Sequence, residues 1–249
     1  MKVILNIMTH GNERIGLKVA EEIKKLQISS EILAVQIANK KALDANKRYI
    51  DQDLNRSFPG KKSGNHEQEL AYALLPNIKS ADLVIDIHST TSRLKDAIIV
   101  TKLDKRTREC IGVIQPKYVL LMNATKRNAL ISAAKVGIAF EYGKDKDIVT
   151  LKKTVLGIKK LLAHLKIIHA KFPQERISIT YFNVISTVAR PEGYKLLGGI
   201  KNYVLIKKGQ SYARRGRKLL IAGKGFYPIL FGEKTYKNIF GFMGTKMGS

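Results

Sequence analysis

Hydrophobic and polar positions follow two patterns along the first two thirds of the chain. Short apolar runs predict buried strands, whereas apolar residues three or four positions apart predict amphipathic helices. The apolar runs cover residues 3–8, 31–39, 81–88, 96–102, 117–123 and 137–143. Helical spacing occurs at 15–25, 65–75 and about 147–169. We expect Pro76 to kink or end the helix that it follows, because proline has no backbone N–H to donate.

The pattern changes after Phe172-Pro173, where short apolar runs alternate with glycines. Such runs are typical of short β-strands. The regular alternation before this point instead predicts an α/β fold, with helices packed on a mainly parallel or mixed sheet. We therefore predict two units, an α/β domain at 1–173 and a small β-rich domain at 174–249.

Composition places the chain among proteins with one sizeable core. It has 249 residues, of which 45% are hydrophobic. Its single cysteine, Cys110, cannot form an internal disulfide, which predicts a reducing, cytoplasmic compartment. No run approaches the roughly 20 apolar residues of a membrane span, so we expect no membrane partner.

The formal net charge of +25 has three interpretations. Lysines on exposed helix faces would account for it without any partner. A cationic surface also attracts small anionic substrates, and it binds nucleic acid by releasing counterions from the phosphates. The charge by itself does not choose between them.

Candidate chemistry begins where the first predicted strand passes into a helix. His10 and Glu13 lie three residues apart there, and Gly11 between them permits a sharp turn. His88 ends another predicted strand, at the edge where α/β sheets build their sites. Catalytic zinc takes three protein ligands and keeps one position open. Asp86 could orient one of those ligands. The structural alternative is a polar turn and a core histidine.

A second group of candidates lies in the loop "NKRYIDQDLNRSFPG", residues 46–60. The planar fork of an arginine binds a carboxylate through two parallel hydrogen bonds. Asn55 and Arg56 could therefore bind one carboxylate together, while Arg48 could face a developing oxyanion. The alternative is a solvated charged loop.

Four segments resemble, in order and content, the succinylglutamate desuccinylase/aspartoacylase family of carboxypeptidase-like zinc hydrolases. They read "THGNE", "RYIDQDLNRSFPG", "DIHSTT" and "GIAFEYG". The resemblance implies a carboxypeptidase-like mixed sheet flanked by helices, a small C-terminal β domain, and one Zn²⁺ per chain.

The resemblance also implies roles for individual residues of the metal and catalytic site. His10, Glu13 and His88 match the zinc ligands of the family. Arg48 matches the arginine that polarises the scissile carbonyl, and Glu141 matches the glutamate that activates water.

Substrate-binding residues follow from the same resemblance. Asn55 and Arg56 match the pair that binds a substrate carboxylate, and Tyr227, in "FYPILFGEKTY", matches a substrate-contacting tyrosine. The chain departs from the family's aspartoacylases before Glu141, where it has Arg127 but no tyrosine at the matching place. Recognition of the substrate side chain is therefore expected to differ.

The sequence thus predicts a zinc-dependent amidohydrolase that cleaves a small anionic N-acyl amino acid, expected to have an acidic part. One alternative is a zinc carboxypeptidase that acts on peptides. Another is an RNA-binding protein built on a hydrolase scaffold, with "SYARRGRK" (211–218) as the basic segment. Self-association into a homo-oligomer is left open.

Overall fold

The structure, a computed structural model, describes residues 1–90, 96–125, 127–173, 177–233 and 236–248. The helices are α1 (Ile15–Lys24), α2 (Lys40–Asp44), α3 (His66–Ser80), α4 (Lys105–Ile114) and α5 (Ile148–His164). The strands are β1 (Val3–Ile7), β2 (Leu33–Ile37), β3 (Leu83–His88), β4 (Ala97–Val100), β5 (Tyr118–Met122), β6 (Gly137–Glu141), β7 (Thr180–Ala189), β8 (Lys195–Leu196), β9 (Ser211–Arg215), β10 (Lys218–Ile221), β11 (Tyr227–Ile229) and β12 (Ile239–Lys246).

Nine strands form one mixed sheet in the order β11-β12-β7-β5-β4-β6-β3-β1-β2. Strand β1 pairs in parallel with both β2 and β3, and β3 pairs in parallel with β6. Strand β4 runs antiparallel to β6. The predicted mixed α/β fold is confirmed. Because β1, β3 and β6 are parallel neighbours, their carboxyl ends meet at one edge of the sheet.

The central strands of the sheet are buried on both faces. Successive residues of a strand point to opposite faces, so Leu5 packs with α1, α4 and α5, while Ile4 packs with α3 and residues of the 46–60 loop. All five residues of β1 are buried, which explains why four of them are apolar; the fifth, Asn6, donates a hydrogen bond to Asp86. No described helix has both the length and the apolar content of a membrane span.

Pro76 was expected to kink or end helix α3. The helix continues through Pro76 to Ser80, so Pro76 does not end it, and the kink stays a prediction. Its start is fixed by Asn65 and Gln68, each of which accepts a hydrogen bond from the backbone N–H of the other. Ala71 before the proline and Ile78 after it are both buried in the same core. Burial of these two side chains stabilises the helix by more than the loss of the one backbone hydrogen bond that Pro76 cannot donate costs.

The C-terminal region contributes to both sheets. Strands β7, β12 and β11 extend the nine-stranded sheet, and β8, β9 and β10 form a separate three-stranded sheet. The domain boundary at 173/174 stays a prediction, and the large sheet continues across it. The basic segment 211–218 spans β9 and the turn into β10, with its arginines exposed. RNA binding by this segment also stays a prediction.

Candidate active site

His10, Glu13 and His88 meet at the carboxyl edge of the sheet. His10 and Glu13 lie between β1 and α1, and His88 ends the neighbouring strand β3. The two carboxylate oxygens of Glu13 lie 2.7 Å from Nδ1 of His10 and 2.9 Å from Nδ1 of His88. One ligand atom from each residue lies within 4.8 Å of the other two, and all three residues are buried.

The second nitrogen of each imidazole faces an aspartate. Nε2 of His10 lies 3.1 Å from Oδ1 of Asp53, and Nε2 of His88 lies 2.8 Å from Oδ2 of Asp86. A carboxylate at one ring nitrogen holds the proton there and leaves the lone pair of the other nitrogen for a metal. The donor set therefore fits a divalent cation, with both Nδ1 atoms and the Glu13 carboxylate as ligands.

The charges around the cluster also fit a cation. Glu13, Asp53 and Asp86 contact the imidazoles directly, and the guanidinium of Arg48 pairs with two of these carboxylates. Burial opposes the ionisation of Glu13, but the two imidazoles hold its pKa below the usual range. When both imidazoles are neutral, as metal ligands must be, these three carboxylates and one guanidinium leave two negative charges, which a dication would balance.

Position 11 requires glycine because the backbone at Ala42 lies too close to admit a side chain. A Cβ atom at this position would lie 2.1 Å from the carbonyl carbon of Ala42. The Gly11 N–H also donates to the carbonyl of Arg48, at 3.2 Å. Gly11 therefore lets the turn that carries His10 and Glu13 pack directly on the chain that leads into the 46–60 loop.

The carboxylate of Glu67 organises the 46–60 loop. This residue of α3 is fully buried and accepts hydrogen bonds from the backbone N–H groups of Ile50 at 2.7 Å, Asp51 at 2.9 Å and Gln52 at 3.2 Å. The side chain of Asn39 donates a fourth bond, at 3.0 Å. Hydrogen bonds to this buried carboxylate thus fix the backbone of the loop, which a fully solvated charged loop would not have.

Arg48 is fixed beside the cluster by two carboxylates. One terminal nitrogen donates to Oε1 of Glu13 at 3.1 Å, and the other donates to Oδ2 of Asp53 at 3.0 Å. The guanidinium carbon lies 6.0 Å from the centre of the Tyr236 ring. Although burial opposes the charge, these two carboxylates raise the pKa of Arg48 further above its usual value.

Asn55 and Arg56 follow on the same loop. Oδ1 of Asn55 accepts a bond from the Leu130 N–H at 3.0 Å, which points its Nδ2 toward Nε2 of His88, at 3.3 Å. Arg56 donates to the carbonyl of Asn55 at 2.8 Å. Both residues line the cavity beside the cluster.

Glu141 ends β6, next to β3, and pairs in register with His88. It lines the same cavity as His10 and His88. Burial raises the pKa of Glu141 to about 7, and the nearby Glu13 carboxylate acts in the same direction. A carboxyl group with this pKa can both accept and release a proton near neutral pH.

Two neighbouring cavities, which share part of their lining, lie beside the cluster. The inner cavity measures about 50 Å³ and the outer one about 530 Å³. Both are lined by the following five residues: Arg48, Arg56, Thr125, Tyr236 and Phe242. Only the inner cavity reaches His10, His88 and Glu141.

The structure does not bring Tyr227 to either cavity. Its ring lies in β11, 5.2 Å from the centre of the Phe182 ring. Tyr236 lines both cavities instead. The quoted segment "FYPILFGEKTY" contains both tyrosines, so the sequence signal was present but did not distinguish them.

The sequence analysis missed Asp53 and Glu67, because acidic residues in and after a polar loop carry no distinct pattern.

Glu67→Gln is expected to raise KM and to lower stability. An amide offers one acceptor oxygen where the carboxylate offers two, so buried loop N–H groups lose their partners at about 1–3 kcal/mol each. Urea unfolding and steady-state kinetics measure the two effects, with the exposed Glu69→Gln on the same helix as control. Unchanged KM and unfolding midpoint would contradict this role.

The stability that Glu67 contributes should depend on pH. Burial opposes ionisation, but the loop N–H groups lower the pKa of Glu67. A carboxyl group with a lowered folded-state pKa contributes stability above its unfolded pKa and loses it as the pH falls through the folded value. The stability difference between wild type and Glu67→Gln should therefore shrink in acid.

The chain is similar to known proteins over most of its length. Residues 1–165 match the family model described as the succinylglutamate desuccinylase/aspartoacylase catalytic domain. The chain is 25% identical over 271 residues to the N-acyl-aromatic-L-amino acid amidohydrolase (carboxylate-forming) of Xenopus tropicalis, covering 92% of this chain and 86% of that protein. It is 30% identical over 155 residues to a probable aspartoacylase of Parasynechococcus marenigrum (strain WH8102), covering 54% and 50%.

A solved structure with the same fold is murine aminoacylase 3. It superposes with a TM-score of 0.82 at 16% identity, covering 99% of this chain and 95% of that one. The structural match establishes the fold, and the family model covers well over half of the sequence. The chain therefore belongs to the succinylglutamate desuccinylase/aspartoacylase family.

Proposed function

We propose that this chain is a zinc-dependent hydrolase that cleaves the amide bond of an N-acyl amino acid. The observation that carries the proposal is the buried cluster of His10, Glu13 and His88, with Glu141 and Arg48 at the same cavity. The names of its relatives, an N-acyl-aromatic-L-amino acid amidohydrolase and probable aspartoacylases, support the same reaction class.

His10, Glu13 and His88 would hold the metal. Two imidazoles and one carboxylate form a ligand set that suits catalytic Zn²⁺. The ion would polarise the amide carbonyl and lower the pKa of a water ligand to about 7. Asp53 and Asp86 would keep the two imidazoles in the tautomer and orientation that this binding needs.

Glu141 acts as the general base and then as the general acid. It takes a proton from the attacking water, whose oxygen forms a bond to the carbonyl carbon. It then returns that proton to the amide nitrogen as the carbon–nitrogen bond breaks, so that the products are a carboxylic acid and an amino acid. Burial raises the pKa of Glu141, which favours proton transfer in both directions near neutral pH.

Arg48 stabilises the negative charge that develops on the carbonyl oxygen. The carboxylates of Glu13 and Asp53 hold its guanidinium in position before the substrate arrives. A preorganised donor of this kind typically lowers the barrier by about 2.7–4 kcal/mol.

The amino-acid half of the substrate would lie in the inner cavity. Asn55 and Arg56 would bind the α-carboxylate, as an amide donor and a guanidinium can. Most of the remaining wall is aliphatic or aromatic, formed by Ile99, Met122, Ala129, Ile131, Ala139, Leu230 and Phe242. The described cations at this cavity are Arg48 and Arg56.

This lining favours an amino acid with a short apolar side chain. The inner cavity, at about 50 Å³, is much smaller than the outer one, which favours a short side chain over a bulky one. Arg127, the arginine in the region before Glu141 where the family's aspartoacylases differ from this chain, is exposed and lines neither cavity. An acidic side chain, which the sequence led us to expect, would have no spare described cation in the inner cavity.

The test is a panel of substrates for the zinc-loaded enzyme. N-acetyl and N-succinyl derivatives of alanine, valine, aspartate and tyrosine are compared with the dipeptide Ala-Val, and released amine is measured. We expect kcat/KM for the alanine and valine derivatives to exceed that for aspartate by at least about tenfold, because an uncompensated carboxylate is costly to bury. Cleavage of the dipeptide alone would replace this proposal with a carboxypeptidase.

A further inference from the structure

We propose that the small sheet formed by β8, β9 and β10 binds the surface of an anionic lipid bilayer through its outer face. The inference goes beyond the proposed function, because it concerns where the protein acts and not which bond it cleaves. Three features of this region support it: its charge, the register of its strands and its exposed aliphatic side chains.

The chain between Glu192 and Glu233 carries positive charge alone. It contains no acidic residue and nine cations, which are Lys195, Lys201, Lys207, Lys208, Arg214, Arg215, Arg217, Lys218 and Lys224. All nine are exposed, and none of them forms a salt bridge with a carboxylate that the structure describes. Unlike exposed lysines such as Lys40, which pairs with Asp44 at 2.9 Å, these side chains are available to a polyanion.

The strand register gives the small sheet an inner and an outer face. Residues that pair directly across neighbouring strands lie on the same face. The inner row, which packs within or against one hydrophobic cluster, consists of Leu220, Ala213 and Leu196. The adjacent row lies on the outer face, because successive residues of a strand alternate. It consists of Leu219, Arg214 and Lys195, all of them exposed.

Aliphatic side chains accompany the cations on the outer face. Leu219 is 49% exposed, and Ile221, which lies two residues further along β10 and therefore on the same face, is 58% exposed. Val204 and Leu205 are 54% and 41% exposed, in a segment that bridges to the chain just after β10. Binding to a membrane surface grows with the apolar area that enters the interface and with attraction to anionic lipids. This face offers both.

Aromatic side chains near the small sheet point inward, which favours a bilayer over a nucleic acid. Proteins that bind single strands stack the bases on exposed aromatic rings. Here the ring of Tyr212 packs edge-on against Phe226 and Phe240, at 5.8 and 6.3 Å between ring centres. Tyr194 is buried, with the guanidinium carbon of Arg215 5.5 Å from its ring centre. The outer face thus combines cations with aliphatic groups and not with stacking rings.

A contact of this kind needs no membrane-spanning helix. The expectation of no membrane partner rested on the lack of a long apolar run, which concerns spanning alone. Each cation near an anionic membrane contributes about fivefold to the affinity, and this attraction is limited to about one Debye length. Binding should therefore weaken with salt and still require the aliphatic side chains.

Cosedimentation of the protein with lipid vesicles tests the inference. Vesicles of phosphatidylcholine alone are compared with vesicles of equal parts of phosphatidylcholine and phosphatidylglycerol. We expect the wild type to bind the anionic vesicles at least about a hundredfold more tightly than the neutral ones, since several cations contribute about fivefold each. The bound fraction should fall as sodium chloride is added.

Removal of three cations from the small sheet should weaken vesicle binding. We expect a loss of about a hundredfold in affinity for the anionic vesicles from the variant Arg214→Gln/Arg217→Gln/Lys218→Gln. The control removes the same charge from exposed positions on α1 and α4 and should change the affinity by less than about threefold, because salt screens distant charges. It is Lys18→Gln/Lys105→Gln/Arg106→Gln.

A second variant, Leu219→Ser/Ile221→Ser, keeps the charge and separates a bilayer from a nucleic acid. We expect its affinity for the anionic vesicles to fall about tenfold, because two aliphatic side chains no longer enter the interface. Binding of RNA through phosphates would not need these side chains. The control Ile148→Ser/Val149→Ser removes two exposed aliphatic residues at the start of α5 and should leave vesicle binding unchanged.

Circular dichroism and urea unfolding establish that each variant is folded. Failure of the wild type to bind anionic vesicles, or an unchanged affinity in either small-sheet variant, would overturn the inference. Binding of a labelled single-stranded RNA in place of vesicles, lost in the arginine variant and kept in Leu219→Ser/Ile221→Ser, would assign the face to a nucleic acid and overturn it as well. These measurements involve no hydrolysis, so their failure would leave the proposed function standing.

Discussion

Replacing Glu141 with glutamine is expected to lower kcat by about 10²–10⁴-fold, while the protein stays folded and still binds metal. Glutamine has nearly the same shape as glutamate, but it cannot accept the proton of the attacking water. Since Glu141 is proposed to act on the chemical step, KM should change much less than kcat. Steady-state kinetics with an N-acyl-alanine substrate, together with the zinc content, measure both quantities.

The matched control for this variant is Glu109→Gln. Glu109 is exposed on α4 and lines neither cavity, so its loss should leave kcat unchanged. If Glu141→Gln retains kcat within about tenfold of the wild type, another group must act as the base, because loss of a general base normally costs at least about a hundredfold.

His88→Ala is expected to abolish stoichiometric metal binding and, with it, amide hydrolysis. The variant removes one of three proposed ligands and leaves the buried carboxylates of Glu13 and Asp86 without their shared partner. Asp86→Asn should have a smaller effect of the same kind, about 10–100-fold in metal affinity, because it alters only the partner of a ligand. Zinc affinity is measured by competition with a chromophoric chelator.

Stability has to be separated from metal binding in this experiment. Breaking a buried ion pair by removing one partner commonly costs about 3–5 kcal/mol, so circular dichroism and urea unfolding accompany the metal measurement. The control is His164→Ala, which changes an exposed histidine at the end of α5. A folded His88→Ala variant with wild-type zinc affinity would contradict the proposed ligand set.

Much of the fold could be predicted from local patterns. The apolar runs at 3–8, 81–88 and 137–143 correspond to β1, β3 and β6, which are buried almost throughout. Such strands are recognisable in a sequence because most residues on both of their faces are buried and apolar. Of the two alternatives predicted at Pro76, a kink or an end, the end was wrong, because a local rule about proline takes no account of the core that stabilises α3 on both sides of it.

Site residues could be predicted from the sequence where they lie at the end of a strand that the apolar pattern predicts. His88 follows an apolar run directly, and the parallel pairing of β1 with β3 brings it to the turn that carries His10 and Glu13. Glu67 could not be found in this way. Its function depends on contacts with three N–H groups of a loop 15 to 17 residues earlier in the chain.

The sequence by itself determined the alternation of strands and helices, the family resemblance and the residue types at the metal-binding turn, because these depend on short-range periodicity and on fixed local spacing. Only the tertiary structure decided that Asp53 faces His10, that Tyr236 and not Tyr227 reaches the site, and which lysines line the outer cavity. These are relations between segments far apart in the chain. Their distances and charges become defined only when packing of the sheet and its loops brings those segments together.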